Sequence, residues 1–284
     1  MSHFDSGPTL VMGARGSIGT FVLNALREQG LSVRASARKP QPGQFPTDIE
    51  VFAADLGDPA SLHSAFASMR QVFLYAHHGS PHGVIAAARA AGVDKIVLMS
   101  SGSVIHPTSA GNTITEEHRA IENAFAAASG LTVVPVRPLV LATNALNWAW
   151  PIKAGNTVAL YKPDALTAPI HESDVAAVAV AALTENTSPQ VSGLLTGPVR
   201  LSQRDQVAAI AAATGKDITV TELSRHEASA QFSRFMPADE AEAVLQFLDD
   251  ADAGNSPATD TVTQVTGRPA TGFDIWAADH AADF

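Results

Sequence analysis

Thr9-Leu10-Val11-Met12-Gly13-Ala14-Arg15-Gly16-Ser17-Ile18-Gly19 decides the fold class: a short apolar run ends in three glycines spaced three apart and passes into an amphipathic segment. A strand that turns sharply into a helix leaves the helix's first amides unpaired and its positive dipole end exposed, which suits an anion. Each glycine has a task in that turn. Gly13 permits the tight turn, Gly16 lets backbone amides approach a pyrophosphate, and Gly19 lets the helix pack closely on the strand. Ser17 and Ile18 are the first helical residues, so this loop is read as a dinucleotide cradle.

Working outward, β-branched runs alternate with alanine-rich amphipathic ones. Strands are expected at 9–12, 31–37, 50–53, 71–75, 95–99 and 132–136, with helices at 17–29, 59–67, 83–91 and 115–128 between them. That alternation predicts an α/β fold, a doubly wound parallel Rossmann sheet. After Arg137 the pattern weakens. Pro138, Pro151, Pro163 and Pro169 interrupt a stretch holding Trp148, Trp150 and Tyr161, which reads as a pocket wall. A helix to 183, a short strand near 194, a helix at 202–214 and a strand at 218–221 follow. Helices at 225–235, 238–248 and 273–278 complete the chain, with a polar loop at 251–261. The expected division is a dinucleotide-binding domain over 1–140 and a smaller C-terminal substrate-binding lobe over 141–284, intertwined with the end of the sheet.

At 284 residues and 46% hydrophobic, the chain can bury a sizeable core. It contains no cysteine, which excludes disulfides, thiolate nucleophiles and cysteine metal sites and fits a reducing cytoplasm. A net charge of −10 with 18 scattered basic residues argues against nucleic acid as a partner. No run approaches a membrane span. The expectation is a cytoplasmic protein, monomeric or weakly dimeric.

About twenty residues past the glycine loop, an NAD-specific site ends its second strand in an acid that holds the ribose 2′-hydroxyl. Here that place holds Ala37, Arg38 and Lys39. Together with Arg15 in the loop, these cations suit a 2′-phosphate through charge-assisted hydrogen bonds, which points to NADP(H). Asp55 and Leu56 follow the third strand and are expected at the adenine. Ala76, His77 and His78 follow the fourth and are expected over the dinucleotide. His77, His78 and His82 also form a tight cluster, but no carboxylate shares it and no metal is assigned.

The glycine loop, Val97-Leu98-Met99-Ser100-Ser101-Gly102 and Glu117-His118-Arg119-Ala120-Ile121-Glu122 resemble the atypical short-chain dehydrogenases of the NmrA-like group. Arg137-Pro138, Ile170-His171-Glu172-Ser173-Asp174-Val175-Ala176 and Leu195-Thr196-Gly197-Pro198 continue the likeness in order, so it spans nearly the whole chain. The resemblance implies the Rossmann fold and a nicotinamide cofactor. It leaves the reaction open, since the group holds quinone, azo-dye and triphenylmethane reductases, ketoreductases and non-catalytic redox-sensing regulators. Ser100 and Pro138 are counted with the cofactor contacts.

Main-branch short-chain dehydrogenases move the substrate proton through a Tyr-x-x-x-Lys pair. Here the residues four beyond Tyr75 and Tyr161 are Gly79 and Ala165, so the pair is absent. By position, Ile114 stands where the tyrosine would be and His118 where the lysine would be. Ser100 and Ser101 stand where the family's serine sits and are candidates to polarise a carbonyl. His118 is a candidate to relay a proton or hold the ribose, or is a plain helix-surface residue. Asn144, Trp148, Trp150 and Tyr161 are expected to line an aromatic-binding wall, and Asp174 to cap its helix. The reading is an NADPH-dependent reductase delivering hydride to a carbonyl or quinone of a bulky aromatic molecule, with polyketide tailoring as a setting. The alternative is a redox-sensing regulator that binds NADP(H) without turnover.

Overall fold

The computed structural model describes residues 7–77, 79, 81–184 and 188–284. The strands are β1 (Thr9–Val11), β2 (Val33–Ala37), β3 (Glu50–Ala53), β4 (Gln71–Tyr75), β5 (Lys95–Met99), β6 (Thr132–Pro138), β7 (Thr157–Tyr161), β8 (Leu166–Thr167), β9 (Leu194–Leu195), β10 (Leu201–Ser202) and β11 (Thr219–Leu223). The helices are α1 (Ser17–Glu28), α2 (Leu62–Phe66), α3 (Pro81–Ala91), α4 (Thr113–Ala126), α5 (Ala149–Gly155), α6 (Glu172–Thr184), α7 (Gln203–Thr214), α8 (Arg225–Phe232), α9 (Ala238–Asp252), α10 (Thr261–Thr266) and α11 (Phe273–Asp279).

Seven strands form one parallel sheet in the order β3-β2-β1-β4-β5-β6-β9. This is the expected doubly wound Rossmann sheet. The strand order reverses between β1 and β4, and a crevice opens there at the carboxyl ends of the strands. Both faces are covered, so successive strand residues are apolar on both sides. Leu10, Val72, Leu74, Ile96 and Leu98 pack with Val84, Ile85, Ala88, Ile121 and Phe125 of α3 and α4. Val11, Phe73, Val97 and Val136 pack on the other face with Ile18, Val22 and Leu26 of α1 and Val175, Val178 and Ala179 of α6. The chain therefore returns to the sheet after residue 140, through α6, β9 and α10.

Second-strand pairing starts at Val33, two residues later than the expected 31, because the preceding turn claims Leu31. Gly30 sits at φ +73° and the Leu31 amide donates back to the Leu26 carbonyl, closing α1. The proline-broken stretch folds more than the sequence suggests. A 3-10 turn over Ala142–Trp148 leads into α5, where Pro151 falls in the first turn and needs no helical amide partner. β7 then pairs in parallel with β11 as a separate two-stranded sheet.

The lobe has its own core, in which Ile152, Val158, Leu160, Val207 and Ile210 surround Phe273, Trp276 and Phe284. It is fastened to the start of α6 by polar groups. Glu172 is buried and accepts from Trp276 Nε1 at 3.0 Å and His280 Nε2 at 2.7 Å. Burial alone would lower the His280 pKa, but its bonds to Asp283 and Glu172 outweigh that and raise it. Asp174 does not cap α6 as expected. It is fully buried and accepts from the Thr271 amide at 2.6 Å and pairs with Arg268 at 2.6 Å, docking the loop before α11.

Candidate active site

The glycine loop occupies the reversal point of the sheet. Gly13 adopts φ +62°, a left-handed conformation that side chains rarely take, and a Cβ there would sit 2.7 Å from the Tyr75 ring. A Cβ on Gly19 would overlap the Gly13 carbonyl, so the helix could not sit this close to the strand. Gly16 is the N-cap of α1, and its amide donates to the Gly13 carbonyl at 2.8 Å. Tyr75, at the end of β4, is the loop's floor: its hydroxyl accepts from the Gly19 amide at 3.0 Å. The Thr20 amide makes the first helical bond, to Gly16. The amides of Ser17 and Ile18 have no acceptor among the described residues and are turned to the crevice for an anion. Tyr75 is a loop residue that does not stand out in the sequence. Its one signal was a tyrosine at the end of a strand adjacent to β1.

The cations expected at the 2′-phosphate leave neighbouring strands at the same edge. Val11 pairs with Ala35 and the Ala14 amide donates to the Ser36 carbonyl at 3.2 Å, so Arg15 and Arg38 emerge beside one another. Arg15, Arg38 and Lys39 are all exposed, and among the described residues none has a carboxylate partner. Arg27 and Arg34, by contrast, are held by Asp48 and Glu50.

On the adenine side, one Asp55 carboxylate oxygen shapes its own turn by accepting from the Gly57 amide at 2.9 Å. Leu56 and His77 line a small hollow together with Leu74, Tyr75, Val84 and Phe125. His77 Nδ1 accepts from the Gly79 amide at 2.9 Å, so its neutral ring carries the proton on Nε2. Ala76 is half-buried, its amide bonded to the Met99 carbonyl. His78 lies outside the described residues, and His82 is exposed on α3. Among the described residues no three metal-ligating side chains gather.

At the carboxyl end of β5, where the nicotinamide is expected, side chains bond to one another. Register places Met99 beside Val136, so Ser100 follows β5 next to Arg137. Ser100 is buried, and its hydroxyl donates to Glu122 Oε1 at 2.6 Å. Arg137 grips the same carboxylate through Nε at 2.9 Å and Nη2 at 2.5 Å, and donates to the Ser192 carbonyl at 2.7 Å. The Ser100 hydroxyl proton is therefore engaged by a buried carboxylate. The ion pair joins α4 to β6. Pro138 is buried at the end of β6. Close by, a Cβ on Gly102 would lie 3.0 Å from the Leu139 backbone, so the chain after β5 touches the chain after β6.

Ser101 caps the short turn Gly102–Val104, accepting from the Ser103 amide at 3.2 Å, with its hydroxyl 2.9 Å from that of Ser103. It is half-buried and faces the crevice end of β5. His118 Nδ1 lies 2.8 Å from the Ile114 carbonyl. A carbonyl can only accept, so Nδ1 carries a proton. Glu122 is one turn further along α4, so the ion pair with Arg137 also fixes where His118 stands.

The expected aromatic wall is not assembled as one surface. Tyr161 is buried against Ala228 and Leu245, and its hydroxyl donates to Asp249 at 2.6 Å. Trp148 packs on the lobe core, whereas Trp150 is 78% exposed and Asn144 is exposed. The reason is the alternation of β7 and the turn of α5. Leu160 takes the inward place on the lobe core, which sends Tyr161 to the opposite side.

A sequence profile described as NAD(P)H-binding matches residues 13–186, more than half of the chain. The chain is 35% identical over 280 residues to a (4-alkanoyl-5-oxo-2,5-dihydrofuran-3-yl)methyl phosphate reductase of Streptomyces griseus, covering 97% of this chain and 98% of that protein. It is 30% identical to an NAD(P)H azoreductase of Xenophilus azovorans, covering 97% and 98%. Its fold matches an NADPH-dependent quinone oxidoreductase of Escherichia coli crystallised with NADPH, with TM-score 0.77, 23% identity, and 96% and 99% of the two chains covered. The glycine loop that opens the profile match and the near-full-length likeness to two reductases place the chain in the NAD(P)H-binding family of atypical short-chain dehydrogenase/reductases, as an NAD(P)H-dependent oxidoreductase.

Proposed function

We propose that the chain is an NADPH-dependent reductase that delivers hydride to a carbonyl or quinone of a bulky aromatic small molecule, in a ketoreductase role such as the tailoring of an aromatic polyketide. In this reading Arg15, Arg38 and Lys39 hold the 2′-phosphate, and the Ser17 and Ile18 amides hold the pyrophosphate. Asp55, Leu56, Ala76 and His77 flank the adenine half, while Pro138 backs the nicotinamide. When bound, the cofactor supplies the hydride. Ser101 donates a hydrogen bond toward the substrate oxygen, and His118 stands toward the ribose. Asn144 and Trp148 of the 3-10 turn and Trp150 of α5 form the substrate-side rim.

The observation that carries this reading is the shortage of proton donors beside the nicotinamide. The positions of the missing tyrosine and lysine hold Ile114 and His118, the His118 Nδ1 proton is given to the Ile114 carbonyl, and the Ser100 hydroxyl donates to Glu122. A saturated ketone would give an alkoxide that needs an immediate proton. A quinone or conjugated aromatic ketone gives a delocalised anion that water can protonate. The names of the relatives point the same way, since an alkanoyl-oxo-dihydrofuran and an azo compound are both conjugated hydride acceptors. The test is NADPH oxidation across matched acceptors. Quinones and polycyclic aromatic ketones are expected to turn over and saturated alicyclic ketones to stay at background. Equal rates on both classes would overturn the reading.

A further inference from the structure

We propose that Tyr75 is a cofactor ligand in its own right, a side chain that binds the pyrophosphate from beneath the glycine loop. The inference rests on binding of the dinucleotide by that loop and adds a residue to it.

Tyr75 ends β4, the strand across the reversal point from β1, and its ring packs edge-on against Phe73 with centroids 5.4 Å apart. That packing fixes the ring under the loop, against the positions where Gly13 and Gly16 lack side chains. A Cβ on Gly16 would stand 3.4 Å from the phenol oxygen. The hydroxyl therefore lies at the surface on which an anion would rest.

The hydrogen-bond accounting then assigns the role. The phenol oxygen accepts from the Gly19 amide, the third amide of α1, which is too deep in the helix start to reach a phosphate. Its own proton has no acceptor among the described residues. A group that accepts from a helix amide and keeps a donor for an anion does the work a bridging water would otherwise do. Built as a side chain, it brings no mobile molecule that must be ordered on binding. Burial raises the Tyr75 pKa, so the phenol remains protonated and able to donate at neutral pH.

Tyr75→Phe keeps the ring and deletes the hydroxyl. Two ligands separate its effects: NADPH, and 2′-AMP, which carries the adenosine and the 2′-phosphate without the pyrophosphate. The variant is expected to bind NADPH at least about tenfold more weakly, the loss of one hydrogen bond to a charged group, while 2′-AMP affinity stays within about twofold. In ³¹P spectra of bound NADP⁺, the pyrophosphate resonances should move between wild type and variant and the 2′-phosphate resonance should not. Unchanged NADPH affinity would overturn the proposal. Equal weakening of both ligands would also overturn it, because the hydroxyl would then be shaping the loop generally. Failure of the wild-type protein to bind NADPH would instead remove the cofactor reading itself, and the proposal with it.

Discussion

Where the phosphates are proposed to sit, donors and cations have no partners among the described residues: the Ser17 and Ile18 amides have no acceptor, and Arg15, Arg38 and Lys39 have no carboxylate. At the nicotinamide end, polar side chains have already found each other. Ser100 gives its proton to Glu122, Glu122 is gripped by Arg137, Ser101 caps a turn, and His118 bonds its own helix. Unpaired donors on a rigid frame cost stability and are kept where an anion will supply the missing bonds. Satisfied networks do the reverse, fixing geometry without presenting reactive groups. One end is therefore built to bind and the other to stay still while bound groups react.

The sharpest way to break this contrast is to unpair the nicotinamide end. Glu122→Ala leaves the Arg137 guanidinium, 17% exposed, without its carboxylate. Urea unfolding should show a loss of about 3–5 kcal/mol, as expected for one partner of a buried pair. Ser100→Ala removes one hydrogen bond from the same carboxylate and should cost about 1 kcal/mol with turnover retained. A loss of turnover larger than about a hundredfold in a folded Ser100→Ala protein would establish a catalytic role for Ser100.

The phosphate end should respond in binding as well as in stability. Gly19→Ala pushes a methyl into the Gly13 carbonyl and displaces the start of α1. Overpacking of this kind costs about 1–3 kcal/mol, and NADPH titration should show a comparable loss, roughly ten- to hundredfold. Gly30→Ala is the control. It has a positive φ but open space around it, so it should lose stability by about 1 kcal/mol and leave NADPH affinity alone.

Cofactor choice probes the cations. Arg38→Ala combined with Arg15→Ala should lower the preference for NADPH over NADH about tenfold or more, since a charge-assisted bond contributes about 1.5–3 kcal/mol. The readout is the ratio of kcat/KM for the two cofactors. An unchanged ratio would mean these exposed arginines are simple surface charge.

The two ends also differ in how legible they were. The glycine loop, its strand and its helix are contiguous, so local spacing revealed them, and Arg38 follows β2 at a fixed distance. Glu122 and Arg137 are fifteen residues apart on different elements. Only the β5–β6 register and the inward face of α4 bring them onto Ser100. Tyr75 failed to stand out for a similar reason: its partner Gly19 lies 56 positions earlier in the chain. In the lobe, alternation sent Tyr161 inward to Asp249 while Trp150 faced solvent, a sorting that composition does not encode.

The smallest expected effects fall on Ser101 and His118, and they sharpen the comparison most. Ser101 bonds its own turn and His118 its own helix. If the substrate's own conjugation stabilises the developing anion, neither side chain is needed as a proton source. Ser101→Ala and His118→Ala should then lower kcat on a quinone by about fivefold or less, roughly 1 kcal/mol, with the His118 change raising the NADPH KM through the lost ribose contact. On an unconjugated aromatic ketone, where the anion is less delocalised, Ser101→Ala should cost more than on the quinone. A loss above a hundredfold on the quinone from His118→Ala would identify the imidazolium as the proton donor, and the nicotinamide end would then be a chemically active site rather than a fixed frame.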